Sequence, residues 1–349
     1  MREAAPSDRS RRTSYGEIIK SSALIGSSQV VALGISVVRT KCFALILGPA
    51  GFGVLALYQS ILDLANSVAG MGLNSSGVRQ IAESAGDEDE NRVARTASVQ
   101  RRTALALGLL GAALLAATSY HVSVLTFGTP GYATAIGTLG VALLFRLVAD
   151  SNAALLQGLR RIADYAKVTI LSALFGSIAS VGLVVVLRDR GIAPGLVAMT
   201  AAFAACAWWF SRKVDIPKVA VDNSQFRNEA ANLLKLGAAF MASALLMMGS
   251  AFLVRSILIR EAGLESAGLY QAAWTLGGLY VGIVLQAMGA DFYPRLVAAI
   301  RDPSEANRLV NEQAHAGLLL AGPGILATLT FAPLVITWFY SDKFLDAAE

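Results

Sequence analysis

Residues 168–187 read VTILSALFGSIASVGLVVVL and contain no charged side chain. A helix needs about 20 mostly apolar residues to cross the hydrocarbon core of a membrane, and this stretch has that length. Its apolar residues are continuous and do not alternate with polar ones, which favours a helix over a strand of a membrane barrel. We therefore predict a membrane-spanning helix over residues 167–187.

The same pattern recurs on both sides of this stretch and predicts an all-α, polytopic bundle of membrane helices. Pro323 and Pro333 lie in the last run and are predicted to kink it. The nine apolar runs, in chain order, are 18–47, 52–73, 103–127, 132–149, 167–187, 192–210, 233–259, 267–290 and 315–340.

The overall composition supports a membrane protein. Hydrophobic residues make up 55% of the chain and charged residues 15%, with a mean hydropathy of +0.57. Soluble domains are typically about 25% charged. The two cysteines and two histidines are too few for a disulfide framework or a Cys/His zinc site. We expect neither a metal nor a cofactor.

Lysine and arginine are distributed unevenly between the runs. With the N-terminus in the cytoplasm, 20 fall in cytoplasmic segments and five on the opposite side, which is the bias of inner-membrane proteins. The formal net charge of +5 follows from this bias. Because the basic residues are scattered and no recognition module occurs, we expect the lipid bilayer as a partner and no nucleic acid.

A weak internal repeat divides the chain. Leu57-Tyr58-Gln59 recurs as Leu269-Tyr270-Gln271, and an arginine within an apolar run precedes each triplet: Arg39 and Arg255. This predicts two pseudo-symmetric lobes, the second of which holds only three of six helices. We expect a chain truncated relative to a complete repeat. The predicted parts are a cytoplasmic tail (1–17), an N-lobe (18–210), a cytoplasmic linker (211–232) and a partial C-lobe (233–349).

Several short stretches resemble one family of membrane proteins. They are SSALIG (21–26), VRTK (38–41), LGPAG (47–51), LYQ (57–59) and GVRQIAE (77–83). This combination resembles Wzx-type O-antigen translocases, the polysaccharide flippases of the multidrug/oligosaccharidyl-lipid/polysaccharide exporter superfamily. The chain departs from that family in lacking the last helices.

The resemblance implies a multi-pass protein of the bacterial inner (plasma) membrane. Such a protein flips an undecaprenyl-diphosphate-linked oligosaccharide to the periplasmic leaflet by alternating access, for O-antigen, lipopolysaccharide or other surface polysaccharide biosynthesis. It also implies a cavity between two lobes and, as further partners, a polysaccharide polymerase and a chain-length regulator.

Charged residues within membrane runs are costly and therefore candidates for function. A guanidinium can bind a diphosphate through two parallel hydrogen bonds from its planar group of N–H donors. We predict substrate-binding roles for Arg39, Arg255 and Arg146, and for Gln59 and Gln271 as hydrogen-bonding partners. The alternative for Arg39 and Arg255 is that they lie near the membrane surface and extend their charge into water.

Two carboxylates are predicted to take part in ion coupling. Asp63 lies in the middle of the second run, and Asp150 follows Arg146 by four residues in the fourth. Buried carboxylates can carry protons in exporters. Alternatively, Asp63 is the partner of a nearby arginine, and Arg146 and Asp150 pair on one helical face and neutralise each other.

Three other functions compete with a flippase. A cation-coupled multidrug exporter of the same superfamily is one, and a nonfunctional truncated flippase is another. A polyprenol-dependent membrane glycosyltransferase would need a cluster of catalytic acids beside the lipid carrier. The short connections on the non-cytoplasmic side hold no such cluster, so we do not expect an enzyme.

Overall fold

The structure of the protein, a computed structural model, describes residues 8–86, 89–217, 219, 222–299 and 303–348. The predicted tail, 1–17, lies partly outside these residues. The described chain is almost entirely helical and contains no β-strand, which confirms the all-α prediction. The helices are α1 (Asp8–Gly70), α2 (Leu73–Gly86), α3 (Glu90–Phe127), α4 (Ala133–Gly158), α5 (Ile162–Leu187), α6 (Ile192–Ser211), α7 (Asn223–Ala299), α8 (Pro303–Thr330) and α9 (Ala332–Phe339).

Among the residues that the structure describes, five helical segments are long and apolar enough to cross a membrane, and the bent pair α8–α9 makes a sixth if it is one span. The five are Gly26–Gly70, Glu90–Phe127, Pro130–Gly158, Ile162–Ser211 and Met241–Gly278. The first has 45 residues and the fourth has 50, whereas about 20 suffice for one crossing. The chain is therefore a multi-pass membrane protein, and these two segments each contain two of the predicted runs.

Local breaks divide the longest segments at the predicted gaps between runs. Gly48 interrupts α1 with φ 66° and ψ −175°, and Gly263 interrupts α7 with φ 86° and ψ 174°. This region of backbone conformation is open almost only to glycine. A short 3₁₀ turn, Arg188–Gly191, separates α5 from α6. The sequence signal for each break was a short polar or glycine-containing gap.

The ninth predicted run is bent, as expected from its prolines. Helices α8 and α9 meet at an angle of 81°, and Phe331 between them is not helical. Pro333 is in the first turn of α9, where its missing N–H costs nothing. Helix α8 continues through Pro323, so the bend lies at the second proline.

The residues form two compact units. The first, Met1–Arg39 with Leu55–Glu261, contains α2 to α6, and α4 packs against α2, α3 and α6. Its core includes Leu62, Leu143 and Leu147 between α1 and α4. The predicted linker, 211–232, lies within this unit, and the division into lobes stays a prediction.

The second unit consists of Thr40–Val54 and Ala262–Glu349. Phe52 is buried against the rings of Tyr340 and Phe344, with centroid distances of 5.4 and 5.7 Å. Phe344 is fully buried. The Lys41 ammonium donates to the carbonyl of Trp338. The end of the described chain is thus packed onto the segment around the Gly48 break.

Candidate functional site

One face of α1 is polar within the membrane. Asn66 and Ser67 lie three and four residues after Asp63, and Gly70 lies four and three residues after them, which places all four on the same side of the helix. All four line a single cavity in the first unit. Asp63 was predicted from its position in the middle of an apolar run. Ser67 was not, although its i+4 spacing from Asp63 is a usable signal.

Helix α4 presents a pair of opposite charges to the same cavity. The Arg146 Nε lies 3.5 Å from an Asp150 carboxylate oxygen, a distance typical of an ion pair. The Asn66 side chain of α1 interacts with the Asp150 carboxylate of α4. The pairing predicted from the four-residue spacing is therefore confirmed.

The cavity has a volume of about 220 Å³. The break between α1 and α2 forms part of the wall. There Gly72 lies so close to Gly237 of α7 that a β-carbon would overlap the Gly237 carbonyl. Helix α7 contributes Met241, Ala244 and Met248 to the wall. These three share one face of α7 but are apolar, so no sequence signal indicated their place beside charged groups.

Several polar atoms around the cavity have no hydrogen-bond partner among the residues that the structure describes. They are the Asn66 carbonyl oxygen and the hydroxyls of Ser67 and Ser151. The Ser151 side chain is buried, with 4% of the residue exposed. Buried polar atoms are nearly always hydrogen-bonded to protein, water or ligand. The cavity therefore offers both donors and acceptors to a polar molecule.

Arg255 adds a second guanidinium charge. It donates to the Ala251 carbonyl one turn earlier in α7, at 3.2 Å, and it attracts the Asp63 carboxylate, as Arg146 also does. Two carboxylates and two guanidinium groups thus interact within one part of the first unit. Their formal charges cancel when all four are ionised.

The remaining predicted residues lie elsewhere. Arg39 donates to the Ser36 hydroxyl at 2.8 Å, and Gln59 is partly buried one turn before Asp63. Neither lines the cavity. Gln271 belongs to the second unit, where its amide donates to the Thr275 hydroxyl at 3.0 Å. The structure therefore brings together Asp63, Arg146 and Asp150, with Arg255 within electrostatic range.

The arrangement suits binding of charged groups better than bond-breaking chemistry. Guanidinium groups can hold a phosphate, and carboxylates can hold a proton or a cation. In the described residues, no group of three or more histidine, cysteine, aspartate or glutamate side chains could hold a metal ion.

Residues 42–349 match a protein family described as "Polysaccharide biosynthesis protein". The chain belongs to this family. The match covers α4, the part of α1 that carries Asp63, and all but the first two residues of the second unit. Among curated protein sequences, none is significantly similar to this family member.

Solved transporter structures share the fold of this family member. An inward-facing multidrug resistance MATE family transporter of the MOP superfamily is 17% identical and has a TM-score of 0.72, covering 91% of this chain and 78% of that one. MATE in complex with MaD5 is 15% identical, with a TM-score of 0.64 over 92% and 75% of the two chains. The MATE multidrug transporter DinF-BH is 17% identical, with a TM-score of 0.56 over 91% and 74% of the two chains.

Family and fold together place the chain in the multidrug/oligosaccharidyl-lipid/polysaccharide exporter superfamily, which confirms that prediction. They support a role as a membrane transporter or flippase. The structural relatives are transporters, in agreement with the expectation of a protein that is not an enzyme.

Proposed function

We propose that this protein flips an undecaprenyl-diphosphate-linked oligosaccharide across the bacterial inner membrane for O-antigen or related surface polysaccharide biosynthesis. Transport occurs by alternating access. The flipped oligosaccharide is then the substrate of a polysaccharide polymerase, which acts with a chain-length regulator. The family match supports a glycan substrate, and the transporter fold supports movement across a membrane.

The observation that carries the proposal is the charge cluster in the cavity of the first unit. Arg146 lines the cavity, and Arg255 interacts with Asp63 on its wall. Both arginines lie in membrane-length helices. A charge there is costly, so its presence indicates a function. A diphosphate carries the opposite charge and fits the planar donor fork of a guanidinium.

The carboxylates provide a way to release the substrate from the arginines. Asp63 attracts Arg146 and Arg255, and Asp150 pairs with Arg146, so the carboxylates compete for the arginines that a diphosphate would need. Protonation of Asp63 would weaken its hold on Arg146 and Arg255 and leave them to the substrate. Because the carboxylates and the diphosphate compete for the same arginines, we assign ion coupling to Asp63, with Asp150 as the second site.

The other predicted residues are proposed as secondary contacts. Arg39 is a further guanidinium for the diphosphate, and the amides of Gln59 and Gln271 are partners for sugar hydroxyls. Their effects on transport should therefore be smaller than those of Arg146 and Arg255.

Genetic complementation tests the proposal. A strain that lacks its own O-unit flippase would express the chain, and surface polysaccharide and cytoplasmic lipid-linked oligosaccharide would be measured. We expect rescue by the wild type and its loss in Arg255→Gln. Arg190→Gln is the matched control, because Arg190 is an exposed arginine in the turn between α5 and α6.

Membrane abundance must be equal in all strains. Rescue that survives both Arg255→Gln and Arg146→Gln would rule out a role of the cluster in substrate binding. Failure of the wild type in strains with several different glycan structures would contradict the flippase assignment.

The competing function is a cation-coupled multidrug exporter. The observation that favours it is the pair of carboxylates, Asp63 and Asp150, at a cavity in a fold shared with multidrug transporters. An exporter of this kind would lower the accumulation of a lipophilic cationic dye, and Asp63→Asn would abolish the effect. We expect no dye export, because two arginines oppose a cationic substrate at this cavity.

A further inference from the structure

The last turn of α6 carries a group of exposed aromatic rings at the end of a membrane-length segment. Trp208 and Trp209 are 48% and 59% exposed, and they close the apolar span Ile162–Ser211. Tryptophan is enriched at this depth because its ring fits the apolar side of the interface and its N–H fits the polar side. The two rings thus mark where the headgroups of the bilayer begin.

Cations lie over these rings. The Arg212 guanidinium is 4.5 Å from the centroid of the Trp208 ring. The Lys213 ammonium is 4.6 Å from the Phe210 ring and 5.7 Å from the Trp209 ring. Lys167, from the start of α5, lies 5.9 Å from the same Phe210 ring. Stacking on aromatic rings holds these flexible side chains in place.

A hydrogen bond and two ion pairs fix the neighbouring turn. The Arg161 guanidinium donates to the backbone carbonyl of Lys213 at 3.2 Å. Asp164 pairs with Arg161 at 2.9 Å and with Lys167 at 3.7 Å. Within the described residues, no ion pair to a carboxylate involves Arg212 or Lys213. Both cations contact aromatic rings and can still bind an anion from outside the chain.

The two turns that meet here carry a positive charge. Their five cations and two carboxylates, Asp164 and Asp215, give a formal charge of +3. Asp89 and Glu90 lie beside Asp215, around a neighbouring cavity that does not include the cations. The cations are Arg160, Arg161, Lys167, Arg212 and Lys213.

We propose that Lys167, Trp208, Trp209, Arg212 and Lys213, the basic–aromatic patch, bind the phosphate headgroup of an anionic phospholipid in the adjoining leaflet. The tryptophans lie among the upper acyl chains and the ammonium and guanidinium groups reach the phosphate. A lipid is favoured over a free anion because the cations sit directly above exposed apolar rings, which only an amphiphile covers. The patch is separate from the charged cavity, so the inference does not depend on the transported substrate.

The test uses the full chain in proteoliposomes, with Trp274→Phe and Trp338→Phe so that Trp208 and Trp209 supply the fluorescence. Quenching by brominated phosphatidylglycerol is compared with quenching by brominated phosphatidylcholine. We expect a preference for phosphatidylglycerol. Each interfacial cation contributes about a fivefold preference, so Arg212→Gln/Lys213→Gln should reduce it about 25-fold.

Two matched variants separate this site from general effects. Arg188→Gln/Arg190→Gln removes two cations at the other end of the same helix pair and should keep the preference. Arg212→Lys/Lys213→Arg keeps both charges and should keep it as well. Equal quenching by the two lipids in the wild type, or an equal loss in the Arg188/Arg190 variant, would overturn the proposal. Competition by millimolar inorganic phosphate would also overturn it, in favour of a free-anion site.

Discussion

Gly53 and Gly268 approach each other so closely that neither position can carry a β-carbon. A β-carbon on Gly53 would overlap the Leu264 carbonyl and stand 3.0 Å from the Gly268 nitrogen. A β-carbon on Gly268 would overlap the Pro49 carbonyl and stand 3.1 Å from the Gly53 nitrogen. The contact is reciprocal: each glycine meets the backbone one residue after the break that precedes its partner, at Gly48 or Gly263.

Gly53→Ala should therefore force the two backbones apart. Overpacking of this kind costs about 1–3 kcal/mol, and we expect a clear fall in the melting temperature of the detergent-solubilised protein. Gly249→Ala is the control, since a β-carbon there meets nothing within 4 Å. Gly53→Ala/Gly268→Ala should cost less than the sum of the single variants, because both substitutions disrupt the same close approach of the two backbones. Equal melting temperatures for Gly53→Ala and Gly249→Ala would contradict the close approach.

Gly48→Ala and Gly263→Ala test the backbone breaks independently of packing. No atom lies within 4 Å of a β-carbon at either position, so any cost comes from the backbone conformation. That conformation strains other residues by about 1–3 kcal/mol. Thermal unfolding should show a loss for both variants and none for Gly34→Ala, which also meets open space but has ordinary helical geometry. If Gly34→Ala is as destabilising as the other two, the strain is absent.

The sequence predicted local features and missed distant contacts. Apolar runs, their breaks and the Arg146–Asp150 pair all follow from residues close together in the chain, where hydropathy and helical spacing decide the outcome. Asp63 and Arg255 are almost 200 residues apart in the sequence. Whether their charges come close depends on how α7 packs against α1. The same holds for Met241 and Met248, whose apolar side chains could equally have faced lipid.

A double-mutant cycle on Arg146 and Asp150 measures what the partly buried ion pair contributes. Asp150 is 15% exposed, so removing Arg146 leaves a buried carboxylate uncompensated, and this is strongly destabilising. Arg146→Leu/Asp150→Leu should be more stable than Arg146→Leu but should not regain transport. Melting temperatures and complementation of Arg146→Leu, Asp150→Leu and the double variant provide the two readouts.

The control for this cycle is Arg79–Glu83, a pair with the same spacing and a shorter distance of 2.8 Å, but with side chains 61% and 52% exposed. Exposed pairs contribute about 0–1 kcal/mol. Its coupling energy should be smaller than that of Arg146–Asp150. A larger coupling at the exposed pair would mean that burial does not strengthen the interaction in α4.

Ser151→Ala should affect transport more than stability. The hydroxyl is buried without a partner among the described residues, so its removal should leave the melting temperature unchanged or slightly raised. One lost hydrogen bond to the substrate would lower transport about two- to tenfold. Ser123→Ala is the contrasting variant, because that hydroxyl donates to the Thr129 carbonyl at 2.7 Å and accepts from the Tyr132 N–H at 3.2 Å. It should be the less stable of the two; the reverse order would show that Ser151 has a structural partner.

Glu229 should make stability depend on pH. Burial raises the pKa of this carboxyl above its ordinary 4.5, and attraction by Arg95, 4.0 Å away, and Arg92 offsets only part of the effect. A raised folded-state pKa means that the residue contributes stability below the unfolded pKa and loses it as pH rises through the folded one. Glu229→Gln, which stays neutral, should match the wild type at a pH below about 4 and exceed its melting temperature at neutral pH. A lower melting temperature for Glu229→Gln at neutral pH would mean that attraction by the arginines outweighs burial.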